Sequence, residues 1–156
     1  MIELNFEQFY QRQYRERGYL LYVMKNGYGE ALYVGISLRN IWERWFGFGG
    51  HVLYDNGRFE GYSLIGQKLQ DNFPDSLAWK IQLWTLKDCL RFCKADLPVS
   101  VHAPTIELVE AFMIRKLRPS LNVVYNVNPG KDSMPKSRKE LEREKTLDAL
   151  YKKLFD

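Results

Sequence analysis

Cysteine and histidine are scarce in this chain, which has two of each. Cys89 and Cys93 stand four residues apart without a second pair, and the only histidines are His51 and His102. A structural zinc centre needs four sulfur or nitrogen ligands at recognisable spacing, so that class is excluded. Two free thiols in a reducing compartment is the reading that remains. The N-terminal run MIELNFE lacks the charged-then-apolar order of a secretory signal. No apolar run approaches the roughly 20 residues of a membrane span. These absences predict a cytoplasmic protein with no membrane partner. There is no internal repeat and no low-complexity tract.

What is present describes a folded chain. Its 156 residues are 46% hydrophobic and 27% charged, which predicts one soluble domain, 1–156, with a real core. A net charge of +4 and a pI near 9.0 tilt slightly toward an anionic partner.

The stretch from Leu20 to Arg44 organises the rest. Two runs rich in Val, Leu, Tyr and Met flank Asn26-Gly27-Tyr28-Gly29, a turn composition that predicts a β-hairpin. Side chains alternate along a strand, so Leu20, Tyr22 and Met24 share one face and Ala31, Tyr33 and Gly35 share another. If the register aligns these faces, two phenols converge on Gly35, where the missing Cβ permits close approach. Asn40, with Glu43 three residues on, is a fair helix cap, and Ser37 is the alternative start. Either start puts Arg44 in an early turn of the next helix. The following Phe46-Gly47-Phe48-Gly49-Gly50-His51 is too glycine-rich to continue it.

Elsewhere the periodicity predicts helices over 5–17, 61–72, 88–94 and 104–117, a half-buried third strand over 77–86, and a charged helix over about 137–155. The segment 131–138 reads as a linker. The last helix has a thin apolar stripe at Leu141, Leu147, Leu150 and Leu154, with mixed charges that suggest a solvated face. The fold class that follows is α/β (α+β): a small, three-stranded, mostly antiparallel sheet flanked by helices, with extra N- and C-terminal helices.

The helix after Pro104 carries Ile106, Val109, Met113 and Leu117 on one stripe, and Glu110 falls in it. An inward carboxylate is costly unless a cation, a metal or strong donors neutralise it. It lies in the run VEAFMIRKLRPSLN, with Pro119 nine residues on and Asn122 twelve.

Taken together, these elements resemble GIY-YIG nuclease domains. Leu20-Leu21-Tyr22 stands where the first triplet would be and Tyr33-Val34-Gly35 where the second would be, their tyrosines eleven apart. Arg44 matches the family arginine, Glu110 the metal-binding glutamate and Asn122 the asparagine. The resemblance covers about 19–122 and leaves the terminal helices outside. Two departures stand out. Ile36 occupies the place of a lysine common after the second triplet. Phe48 occupies the place of a histidine one turn past the arginine, so His51 supplies an imidazole only if the glycine-rich loop folds it back.

The resemblance implies a metal-dependent DNA endonuclease, restriction-like or phage-type, with Mg²⁺ or Mn²⁺ on Glu110. It assigns Tyr22 as base for the attacking water and Tyr33 as an orienting group. Arg44 grips a non-bridging phosphate oxygen, and Asn122 positions the glutamate helix or a phosphate oxygen. Arg39, Arg58, Lys68 and Lys80 are candidates for a phosphate track. A homodimer would suit an enzyme whose single site cuts one strand. Two other readings stand beside this one: a catalytically weak or inactive nucleic-acid-binding module retaining the fold, favoured by Ile36 and by the displaced histidine, and a protein-interaction domain using its aromatic surface.

Overall fold

A computed structural model describes residues 1–12, 18–93, 105–123, 125–126, 130 and 135–155. In chain order the elements are β1 (Ile2–Asn5), α1 (Phe6–Gln11), β2 (Tyr19–Lys25), β3 (Ala31–Ile36), α2 (Ile41–Phe46), β4 (Val52–Asp55), β5 (Arg58–Gly61) and α3 (Leu64–Asp71). A short 3-10 turn (Asp75–Ala78), β6 (Lys80–Thr85), α4 (Leu86–Cys93), α5 (Ile106–Leu117) and α6 (Arg138–Phe155) complete the chain.

The main sheet is antiparallel, with strand order β1-β6-β2-β3, and a separate hairpin pairs β4 with β5. Four strands replace the three expected, because Ile2–Asn5 pairs with β6, Ile2 opposite Leu83. A four-residue strand carries too little periodicity to be read from sequence. Its last residue, Asn5, then caps α1, accepting from the Gln8 N–H at 2.8 Å. The expected helix over 5–17 is therefore only Phe6–Gln11 in the described region; residues 13–17 lie outside it.

The hairpin of β2 and β3 is as anticipated, and its register sets Tyr22 opposite Gly35. Asn26 fastens the turn, its Oδ1 accepting from the Tyr28 and Glu30 amides at 3.0 Å. Asn40, not Ser37, caps α2.

Both faces of the sheet are covered. Tyr22, Met24, Ile81 and Leu83 pack with Phe6, Phe9, Trp45, Phe59 and Leu69 on one side. Leu21, Val23, Val34 and Trp84 pack with Cys89, Cys93, Val109, Phe112 and Met113 on the other. The strand read as half-buried is thus a central one, since β6 lies between β1 and β2. Its buried Gln82 is satisfied by Glu3 Oε2 at 2.7 Å. Both thiols are free and buried, and burial pushes Cys89 up to about 12, so it is inert toward oxidation.

The outer edge of β3 is closed by the chain leaving α5. Ser120 N–H donates to Ala31 O at 3.2 Å and Leu121 N–H to Leu32 O at 2.8 Å. Asn122 adds two side-chain bonds to Val34, described below. This pairing saturates an edge strand that would otherwise expose its ladder. No helix among the described residues is long and apolar enough to cross a membrane.

Helix α6 keeps the solvated face expected, with most of its described side chains exposed, and is docked by a few contacts along one side. Leu147 packs against the second core cluster, Arg115 pairs with Asp148 at 2.7 Å, and Glu144 accepts from the Tyr125 N–H at 3.2 Å. Leu141 is exposed. The side chains of Leu150 and Leu154 and the first half of the expected linker, 131–134, lie outside the described residues.

Candidate active site

Gly35 is the floor of the site. A Cβ built there would stand 2.4 Å from Tyr22 Oη and 2.9 Å from Tyr33 Cε1, so both phenols lean over the one backbone position that has no side chain. The two rings are tilted against each other with centroids 6.1 Å apart. Tyr22 is buried, wedged edge-on against Trp45; Tyr33 is half-buried at the sheet edge.

The glycine-rich loop does fold His51 back. Gly47 N–H closes α2 on Glu43 O at 2.8 Å, and Gly50 N–H turns onto Gly47 O at 2.9 Å. The chain then enters β4, whose hairpin with β5 returns so that Tyr62 N–H donates to His51 O at 2.8 Å. His51 is buried, with Nε2 2.7 Å from Tyr22 Oη and Nδ1 2.7 Å from Ser63 Oγ. With the phenol donating to Nε2, the ring proton sits on Nδ1 and is held by Ser63. Ser63 Oγ also accepts from Gly66 N–H at 3.2 Å as the cap of α3. The result is a continuous hydrogen-bonded line from phenol to imidazole to serine.

The electrostatics follow from burial. Tyr22 is raised well above 10, first by burial and then by Tyr33, against the charge and hydrogen bonding of Arg44. Tyr33 is pushed up to about 12 by burial and by Glu110, again opposed by Arg44. His51 is lowered to about 3 by burial and by Arg44. Neither phenol ionises unaided near neutral pH, and the imidazole rests neutral with Nε2 free to accept. Arg44 is half-buried; it acts on all three rings and donates from Nη1 to Gly49 O at 3.4 Å.

Glu110 meets Tyr33 in a cleft of about 170 Å³ at the β3 edge, shared with Asn122, Tyr125, Glu140 and Arg143. Burial raises its carboxyl to about 7; Arg143 pulls the other way and Glu107 adds to the rise. A neighbouring cavity of about 450 Å³ joins Tyr33 to His51 and Ser63, so Tyr33 borders both halves of the site. Among the described residues no group of three or more His, Cys, Asp and Glu converges. One partly desolvated carboxylate facing a polar cleft suits a hard cation that keeps most of its waters, as Mg²⁺ does. Glu110 is the residue that would hold the metal the resemblance implies, with Arg143 sharing its cleft.

Asn122 is spent on the backbone. Its Oδ1 accepts from Val34 N–H at 2.8 Å and its Nδ2 donates to Val34 O at 2.9 Å. Of the two roles expected for it, positioning is the one its bonds fill. The candidate phosphate track is not gathered at the cleft. Arg39, Arg58 and Lys80 are exposed, and Lys68 lines a different cavity with Asn26, Tyr28 and Trp79. His102 lies outside the described residues.

Sequence reasoning missed Ser63, although a serine opening the run SLIGQ is a helix-cap signal. It also missed Glu140 and Arg143, which no local pattern marks, because only the docking of α6 brings them to the cleft. Comparison with protein-family models, with characterised proteins and with solved structures finds no match.

Proposed function

We propose that this protein is a divalent-metal-dependent endonuclease that hydrolyses DNA phosphodiester bonds, of the GIY-YIG kind. The observation that carries the reading is convergence. Tyr22, Tyr33 and His51 pack together over Gly35, Arg44 acts on all three rings, and Tyr33 also borders the cleft that holds Glu110. A carboxyl raised to about 7 thus shares a cleft with one of two phenols under the influence of the same arginine.

The chemistry runs through these side chains. Arg44 binds a non-bridging phosphate oxygen through its planar fork and meets the charge that develops as water attacks phosphorus. Tyr22 takes the water's proton as its own passes to His51 Nε2, so no free phenolate is needed. The phosphate brings negative charge beside Arg44 and so offsets part of what keeps His51 weakly basic. A solvent water gives the 3′ oxygen the proton with which it departs as an alcohol, and His51 releases its own proton to the hydroxide left behind. In this reading the route takes the place of the lysine common in GIY-YIG domains at the position where Ile36 stands. When bound at Glu110, Mg²⁺ or Mn²⁺ supplies neutralisation of the phosphate and of the departing oxygen.

The test is cleavage of plasmid, single-stranded and branched DNA with and without Mg²⁺ or Mn²⁺. Glu110→Ala should abolish cutting while leaving the circular dichroism spectrum and unfolding cooperativity intact. Cutting that persists in EDTA, or in Glu110→Ala, would refute the mechanism. Wild-type protein that binds DNA yet cuts none of the panel with any metal would favour the inactive binding module. A restriction-like or phage-type role, a homodimer and a cytoplasmic location fit this reading.

A further inference from the structure

Phe48 is fully exposed, at 101% of its reference area. It does not sit on a loose loop. Gly47 N–H is bonded to Glu43 O at 2.8 Å and Gly50 N–H to Gly47 O at 2.9 Å, which makes residues 47–50 a hydrogen-bonded β-turn with Phe48 at its second position. Gly49, third in the turn, has φ +67, the left-handed value that a type II turn requires there. The same turn is tied to the proposed phosphate-binding group, because Arg44 Nη1 donates to Gly49 O at 3.4 Å. An apolar ring is thus held at the tip of a fixed turn, one residue from a carbonyl that the arginine grips.

We infer that Phe48 is a base-contacting wedge, which stacks on or inserts beside a nucleic-acid base next to the phosphate held by Arg44. The inference rests on the endonuclease reading and adds to it a way of engaging bases. Three observations select this occupant over a second protein. Phe48 is flanked by glycines on both sides, so the turn offers one flat π-face and no contiguous apolar patch of the kind protein interfaces use. The charged side chain hydrogen-bonded to the turn is a guanidinium, complementary to a phosphate backbone. Leu38, 86% exposed, sits before the other end of the same helix beside exposed Arg39, repeating the pairing of an apolar tip with a cation. Apolar side chains next to backbone-binding cations are how proteins unstack bases and grip single strands.

The experiment measures binding of fluorescently labelled duplex and single-stranded oligonucleotides by anisotropy, in EDTA, over a series of salt concentrations. Phe48→Ala should weaken binding about tenfold at fixed salt, in the range for loss of one base–aromatic stack. It should leave the slope of log K against log salt unchanged, since no phosphate contact is lost. Phe48→Trp should restore affinity, and DNA should shield its new indole from iodide. Arg44→Ala should do the opposite, flattening the salt slope. Phe48→Ala that binds and cuts like wild type would overturn the wedge while leaving the nuclease reading standing. A sedimentation shift from dimer to monomer in Phe48→Ala would assign the ring to a protein interface and also overturn it. Wild-type protein that neither binds nor cuts DNA removes both readings, and the wild-type control reports that separately.

Discussion

The sharpest test of the site's geometry is Gly35→Ala, a single methyl added to its floor. The new Cβ would stand 2.4 Å from Tyr22 Oη and 2.5 Å from Cζ, where ordinary contact begins near 3.4 Å. Something must move by about 1 Å. Tyr22 cannot swing aside cheaply, because it is 1% exposed, packed on Trp45 with ring centroids 5.4 Å apart and tied to His51 at 2.7 Å. Overpacking of this kind costs about 1–3 kcal/mol, and stranding a buried imidazole nitrogen adds about 1–3 kcal/mol. A combined loss of about 3 kcal/mol lowers Tm by roughly 6–12 °C in a domain of this size. Displacing the phenol by about 1 Å should also cut the cleavage rate on the order of 100-fold. Calorimetry and plasmid nicking, run on the same preparation, read both numbers. A variant that melts within 2 °C of wild type and cuts at the wild-type rate would mean that the phenols do not rest on Gly35.

Two further predictions concern the groups around it. Ser63→Ala removes the partner of His51 Nδ1 and the cap of α3 together; it should cost about 1 kcal/mol of stability and lower kcat on the order of tenfold by freeing the ring's orientation. Ser63→Thr should rescue both, measured by urea unfolding and single-turnover cleavage. Glu110→Gln should reverse a pH trend. The folded carboxyl titrates at about 7 against an ordinary 4.5, so the native state holds the extra proton between those values, and stability falls as pH rises through that window. His51, lowered to about 3 from 6.5, works oppositely: its contribution is present above about 6.5 and is lost as pH falls toward 3. Without metal, the Gln variant should therefore be more stable than wild type at pH 8 and indistinguishable from it near pH 4. A Gln variant less stable than wild type at pH 8 would refute the account, and saturating Mg²⁺ should reverse the order in favour of wild type.

What could be read in advance was what local chemistry writes into consecutive residues. The β2–β3 hairpin announced itself through Asn26 and its glycines, and the period-two pattern put Tyr33 and Gly35 on one face of their strand, with Tyr22 joining them only once the register is known. The cap at Asn40 was similarly visible, and α5 was visible in outline, although its start was read near Pro104 and it begins at Ile106 with Thr105 as cap. Hidden features were those that tertiary contact decides. Strand β1 is too short to show a period; the β4–β5 hairpin did carry a local signal, Asn56-Gly57 with both residues at positive φ, which the sequence reading passed over. That β6 is a central strand depended on β1 pairing along its outer edge. His51 could be named from sequence but not located, because its delivery depends on a glycine turn and on Ser63 waiting across the hairpin. Glu140 and Arg143 reached the cleft only because Leu147 and Asp148 dock α6 on α5.

Asn122 carries a warning for anyone who dissects this site by mutation. The amide works as a splint between the tail of the acid-bearing helix and the strand holding Tyr33, gripping Val34 by both its donor and its acceptor. Truncating it would leave two buried main-chain groups unmet and let acid and phenol drift apart. Such a variant would look like a lost reagent when only an alignment had been lost. Here a dead asparagine mutant measures the stiffness of a joint, and ascribing a substrate contact to it would need a separate binding measurement.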